Sequence, residues 1–164
     1  LNHRIPCTGF SFVQKKRLRK LIIEKLEAEQ IPIEYYTLLK RGVDLDLPDG
    51  SVLLNSDYTT DSERPKKYSY CSDTLMDERY LDSIKGCDTL YHEATFLHEM
   101  LDRANQTHHT TALQAAQIAK STGAVKLLIG HFSSRYKSLQ PLLDEARTEF
   151  PDTELAIEGI TYTI

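Results

Sequence analysis

Residues 88–132 read DTLYHEATFLHEMLDRANQTHHTTALQAAQIAKSTGAVKLLIGHF. The stretch opens on a strand-like run, Asp88–Phe96, and passes through helical spacing over Leu97–Asn105 and Thr110–Ser121. It closes on a second apolar strand, Val125–Phe132. A strand that returns to its neighbour through helices is the unit of a parallel sheet. Working outward, KYSYCSDT (67–74) supplies a preceding strand, with a helix expected near Asp77–Ile84. Downstream, a helix over Leu139–Phe150 is followed by strands from ELAIEG (154–159) and TYTI (161–164). Strands alternating with amphipathic helices predict an α/β fold, a mixed sheet flanked by helices, with ligands outside the strand ends.

Upstream, IPCTGFSFV (5–13) reads as a strand and KKRLRKLIIEKLEAEQ (15–30) as a helix, with Leu18, Leu21, Ile22 and Leu26 at helical spacing. Ile31-Pro32 stops that helix, YYTLLKRG (35–42) resembles a short helix closed by Gly42, and DLDLPDGSVLL (44–54) predicts a hairpin turning at Asp49-Gly50. Residues 55–67 are polar and turn-rich. There is no repeat, no low-complexity tract and no linker long enough to divide the chain, so residues 1–164 read as a single part of one domain.

At 164 residues with 40% hydrophobic and 27% charged positions, the chain is long enough to bury a core without disulfides or metal. No apolar run approaches the ~18 residues of a membrane span, and LNHRIP lacks the layout of a signal peptide. Cys7, Cys71 and Cys87 are odd in number and contain no C-x-x-C spacing, which predicts reduced thiols and a cytoplasmic home. The net charge of −4 offers no global attraction for nucleic acid, so any such binding must use a local patch. The best candidate is KKRLRK, where Lys15, Lys16, Arg17, Arg19 and Lys20 put five cations in six residues. A solvated helix face explains the same run. Tyr35-Tyr36 beside Lys40-Arg41 fits either base stacking or packing against the hairpin.

Three strand-to-loop junctions end in groups fit for metal or acid–base work: Asp73, His92-Glu93 and His131. Rigid strand ends can bring such residues together from distant sequence positions. Singly, each has a plainer reading: Asp73 as a helix cap, His131 as a structural histidine, Glu93 in a half-buried ion pair. His108-His109-Thr110-Thr111 opens a helix, where a threonine can cap and a histidine can meet an anion.

In order along the chain, YCSDT, LYHEATF, HHTTALQAAQIAK and LLIGHFSSRY resemble the C-terminal half of ribonuclease Z, the tRNA 3′ processing endonuclease family. HRIPCTGFSF and EARTEFPDTELAIEG extend the similarity to the ends, and HEATF with GHFSSRY is the specific pair. The resemblance implies half of a metallo-β-lactamase-type αβ/βα sandwich whose two zinc ions activate water against a phosphodiester. By that match Asp73 would bridge both metals, His131 would ligate one and His3 the other. Glu93 and His109 would form a proton-relay pair, with His92 and Thr111 supporting the ligands from behind. The implied substrate is precursor tRNA, and a homodimer is the family's usual form.

The sequence also departs from the family pattern. The His-x-His-x-Asp-His motif that supplies most zinc ligands is not among these residues, and the chain opens at Leu1 on what reads as mid-domain sequence. A fragment without the N-terminal half, inactive alone, is therefore expected. Thr110 stands where the family usually has Ser, and Ser72 where Gly usually precedes the bridging Asp. The family's protruding tRNA-binding arm, placed near Gln30–Tyr36, is expected to be short or missing, since EQIPIEYYTLLKRG holds one Pro and no Gly before Gly42. A different phosphodiesterase or arylsulfatase of the same fold, and a noncatalytic tRNA-binding or dimerisation module, are the alternatives.

Overall fold

The computed structural model describes all residues from Leu1 to Ile164. Along the chain the elements are β1 (Phe10–Val13), β2 (Lys20–Leu21), α1 (Ile23–Ala28), α2 (Tyr36–Lys40), β3 (Leu45–Asp46), β4 (Val52–Leu53), α3 (Asn55–Tyr58) and β5 (Thr59–Thr60). They continue as β6 (Lys67–Cys71), α4 (Leu81–Ile84), β7 (Thr89–Glu93), α5 (Leu101–Thr107), α6 (Ala112–Thr122), β8 (Lys126–Gly130), α7 (Gln140–Glu149) and β9 (Thr153–Leu155). They group into two compact units, Leu1–Val13 with Lys66–Ile164, and Gln14–Pro65.

The larger unit is built on a five-stranded sheet in the order β1-β6-β7-β8-β9. β1 runs antiparallel to β6, and the remaining neighbours are parallel, so the sheet is mixed, as expected. Side chains alternate between the two faces of a strand. The register places Cys71, His92, Ile129 and Leu155 in one row, with Ser69, Leu90, Leu127 and Thr153 in the next on the same face. Cys71, Leu90, Leu127 and Ile129 of that face enter one buried cluster with Ile84, Ala112, Ala115, Ala116, Ile118, Ala119, Leu142 and Ala146. The alanines of α6 supply a small-residue surface that packs close to both the strands and α7.

The opposite face is aromatic. Phe10, Tyr70 and Tyr91 share one row and Phe12 and Tyr68 another, with Tyr70 and Tyr91 stacked at 4.6 Å and Phe12 and Tyr68 at 6.1 Å. Phe10 and Phe12 are exposed. Tyr91 lies across Gly130: a Cβ on that glycine would collide with the Tyr91 hydroxyl, so only glycine allows this approach.

The smaller unit has its own core, Leu26, Leu39, Leu45 and Leu53, enclosed by Leu21, Ile31, Tyr35, Tyr36 and Tyr58. The predicted hairpin is present as β3 and β4. Its turn uses Gly50 at φ +84° and the Asp49 carboxylate, which accepts from the Ser51 amide at 2.9 Å. The tyrosine pair 35–36 packs against this core.

Three sequence expectations are corrected. The helix expected over 15–30 is confined to Ile23–Ala28, because Lys20 and Leu21 pair instead with Thr60 and Thr59. Lys15–Arg19 is irregular chain and not a helix face. The TYTI strand does not form: Tyr162 turns back, its hydroxyl donating to the Leu155 carbonyl at 2.7 Å. Cys7, Cys71 and Cys87 are unpaired, as expected, and burial pushes the Cys71 thiol up to about 12. No helix is long and apolar enough to cross a membrane.

Candidate metal and acid–base site

The three junctions converge at the carboxyl ends of the parallel strands, where an open α/β sheet places ligands. Asp73 follows β6, Glu93 ends β7 and His131 follows β8. Asp73 and His131 both lie in the left-handed region, at φ +55° and +57°. Non-glycine residues rarely adopt it, and such strained positions cluster at functional sites. Ser72, in the position the family gives to glycine, needs no positive φ; the left-handed residue is Asp73 itself. The capping role open to Asp73 is taken by Asp77, whose carboxylate accepts from the Arg79 amide at 2.9 Å.

Asp73 Oδ1 and His131 Nε2 stand 3.1 Å apart, both side chains part-exposed. Glu93 is fully buried. Its Oε1 accepts from the Thr74 amide at 2.5 Å, and its Oε2 from the Thr95 hydroxyl at 2.6 Å and the Thr110 amide at 3.0 Å. His109 Nδ1 donates to the same carboxylate at 3.0 and 3.1 Å. Burial pushes the Glu93 carboxyl up, but the bonds from His109, Thr95 and Thr110 outweigh it and hold its pKa below the usual value. The bond to Glu93 raises His109 against the opposing effect of burial. The pair is thus a carboxylate orienting an imidazole, with Nδ1 of His109 on Glu93 and Nε2 left outside that bond.

His109 sits in the four-residue joint between α5 and α6. His108 caps α5 at φ +61°, and Thr111 caps α6 through a capping box with Gln114. The ring of His109 lies 5.1 Å from His3 and 5.2 Å from His131 by centroids. Of the two adjacent histidines, the structure thus brings His109 to Glu93.

His92 faces the other way. One residue before Glu93 in a strand, it points to the helix-covered face, fully buried, donating from Nδ1 to the Glu93 carbonyl at 2.8 Å and accepting at Nε2 from Tyr80 at 2.9 Å. Thr111 meets His98, whose Nδ1 is 3.1 Å from its hydroxyl. Sequence reasoning passed over two residues here. Thr95 touches both Glu93 and His131, and Arg135 lies 4.9 Å over the Phe96 ring, which itself meets His109 edge-on. Both stand inside quoted motifs, HEATF and SSRY, but only contacts reveal what they do. A cleft of about 720 Å³ opens beside His131, lined in part by Tyr91, Phe132, Ser133 and Tyr136.

The donors suit a divalent metal. His3, Asp73 and His109 form one group with ligand atoms within 4.8 Å of one another, and Glu93, His109 and His131 a second. Imidazole nitrogen and carboxylate oxygen are ligands zinc accepts. His3 Nδ1 is buried with no hydrogen-bond partner, as a nitrogen reserved for coordination would be. Glu93, with four donors already on its oxygens, is the orienting group of its set; His3, Asp73, His109 and His131 have the open lone pairs.

Comparison with known proteins supplies the context. The chain is 43% identical over 164 residues to Ribonuclease Z of Bacteroides fragilis (strain YCH46), matching all of this chain and 54% of that protein. It is 46% identical over 165 residues to Ribonuclease Z of Cytophaga hutchinsonii, covering 52% of it. The chain resembles ribonuclease Z over its whole length. It spans about half the length of these ribonuclease Z relatives. No family model matches. Among solved structures, the metallo-β-lactamase fold protein YhfI from Bacillus subtilis superposes with a TM-score of 0.55 at 24% identity, covering 60% of this chain and 40% of that one. The architecture is that of part of a metallo-β-lactamase fold protein.

The resemblance places a tRNA-binding arm near Gln30–Tyr36, and the sequence predicts it short or missing. Gln30–Tyr36 is a turn and a short 3₁₀ segment inside a 52-residue unit, Gln14–Pro65, that lies in sequence between two paired strands. The lysine-rich run belongs to this unit. Arg19 pairs with Asp61 and Lys20 with Glu63 at 3.7 Å, while Lys15, Lys16 and Arg17 are exposed.

Proposed function

We propose that this chain is the C-terminal half of a zinc-dependent endoribonuclease that removes the 3′ trailer of precursor tRNA in the cytoplasm. The observation that carries the reading is the Glu93–His109 pair, set against His3 of the N-terminal segment and Asp73 and His131 at strand ends, in a ribonuclease Z-like sequence. In it, a His-x-His-x-Asp-His segment from the N-terminal half completes the ligand set, and the aromatic sheet face packs against that half. The active form is a homodimer.

His3, Asp73 and His131 would hold the zinc ions. Bound zinc would supply a Lewis acid for phosphoryl oxygens and a water acidic enough to attack. The chain's own residues do the rest. Glu93 fixes the ring of His109, and His109, kept cationic more readily by that carboxylate, delivers a proton to the leaving oxygen or steadies charge on the phosphate. Lys15, Lys16 and Arg17 meet tRNA phosphates, with Arg19 and Lys20 partly offset by their carboxylate partners.

The test is zinc content and precursor-tRNA cleavage, measured for the chain alone and with the N-terminal segment restored. About two zinc ions per reconstituted molecule and cleavage abolished by Asp73→Ala are expected. No zinc and no cleavage in either sample overturns the reading in favour of a noncatalytic module. Faster turnover of bis(p-nitrophenyl) phosphate than of precursor tRNA would instead favour a small-ester phosphodiesterase.

A further inference from the structure

The Thr95 hydroxyl occupies a position the reading above does not use. It lies 2.6 Å from Glu93 Oε2, 2.9 Å from His131 Nδ1 and 2.9 Å from the His131 carbonyl. A hydroxyl carries one proton and two lone pairs. Three neighbours compete for that proton, and the ionised carboxylate at the shortest distance is the strongest acceptor. With the proton committed to Glu93, Thr95 can only accept from His131, so Nδ1 of that ring must be the protonated nitrogen. In the neutral ring Nε2 then keeps its lone pair, 3.1 Å from Asp73 Oδ1. Two acceptors held face to face at that distance repel each other unless positive charge lies between them.

We propose that Thr95 is a positioning residue: its hydroxyl locks His131 in the Nδ1–H form, presents Nε2 beside Asp73 for a metal, and couples that choice to Glu93. The proposal rests on the metal-binding part of the function above. It makes the hydroxyl the link between the acid–base pair and the metal donors, because Glu93 orients His109 directly and His131 through Thr95. Imidazole ligands are commonly set by a hydrogen bond on the nitrogen away from the metal, and losing such a partner weakens binding about 10- to 100-fold.

The experiment compares Thr95→Val, which keeps the shape and removes the hydroxyl, with Thr95→Ser, which restores it. Long-range ¹H–¹⁵N spectra of the histidine rings, recorded on the intact chain without metal above the histidine titration range, read the tautomer. Wild type and Thr95→Ser are expected to show His131 protonated at Nδ1, and Thr95→Val to shift the proton to Nε2, toward Asp73. Zinc affinity by chelator competition is expected to fall about 10- to 100-fold in Thr95→Val and to recover in Thr95→Ser. An Nε2–H ring in the wild type, or a Thr95→Val chain with unchanged tautomer and zinc affinity, overturns the assignment. If Thr95→Val does not fold, the wild-type spectrum alone still decides it. Absence of zinc binding by every variant would count against the proposed function, while the tautomer pattern would continue to test the role of Thr95.

Discussion

The two faces of the five-stranded sheet are made from alternate residues of the same strands and have different tasks. Under the helices, Leu90, His92, Leu127 and Ile129 are fully buried. On the other face stand Phe12, Tyr68, Tyr70 and Tyr91, and their row parity leads to Glu93 at the strand end. His92 and Glu93 are consecutive in sequence, yet one is anchored by Tyr80 against the helices and the other accepts His109 in the candidate site. A motif read as a string joins two residues that the strand period separates.

The sharpest break of this contrast is Glu93→Leu. It leaves the Thr74 and Thr110 amides, the Thr95 hydroxyl and His109 without their shared acceptor. Removing one partner from such a buried charged network costs about 3–5 kcal/mol, and urea unfolding of the variant is expected near the top of that range. Glu93→Gln retains one oxygen and is expected to lose less stability while still lowering cleavage by the reconstituted protein about 10²- to 10⁴-fold.

A cavity on the opposite face should affect stability and nothing else. Leu127→Ala empties a fully buried position, at a cost of about 3 kcal/mol for a site that relaxes only partly. Its zinc affinity is expected to match the wild type, and a fall of about tenfold or more would show that the faces are not separable. A smaller loss, about 1–3 kcal/mol, is expected for Gly130→Ala, whose new Cβ must displace the Tyr91 ring. Combining it with Tyr91→Leu should recover part of the loss, which a double-mutant cycle measures.

The strands Lys67–Cys71, Thr89–Glu93 and Lys126–Gly130 were legible because the first two are short runs rich in tyrosine and other β-forming residues, the third is apolar, and each runs into a loop, and α6 because Ala112 to Thr122 keeps a helical period. The junction residues Asp73, Glu93, His109 and His131 could be picked out from motifs. Their convergence was expected from the shared placement at strand ends, but the left-handed conformation of Asp73 and His131 at those junctions was not legible. Lys15–Leu21 misled because its leucines keep helical spacing, while the pairing of Lys20-Leu21 with Thr59-Thr60, some forty residues away, overrides that local preference. Thr95 was unreadable for a different reason: a threonine inside a motif gives no sign of which neighbours its one hydroxyl will bridge.

The smallest expected effect distinguishes the faces by the sign of a pH slope. His109 has its pKa raised above 6.5 by the bond to Glu93, so its stabilising contribution is complete below 6.5 and is lost as pH rises through the raised folded value. Glu93, lowered from 4.5, adds stability that is present above 4.5 and is lost as pH falls toward its folded value. The pair therefore contributes most between about 4.5 and 6.5, the window those ordinary values mark out. His92 runs opposite: burial lowers its pKa from 6.5, so its folded form resists the proton that the unfolded chain takes up, and stability falls as pH drops below 6.5. Urea midpoints at pH 5.5 and 7.5 separate the two. Relative to wild type, His109→Gln should lose more stability at pH 5.5 than at 7.5, and His92→Gln should lose less at pH 5.5. Equal slopes in both variants would mean that the two histidines share one environment, contrary to the division of the sheet into a helix-covered face and a site-bearing face.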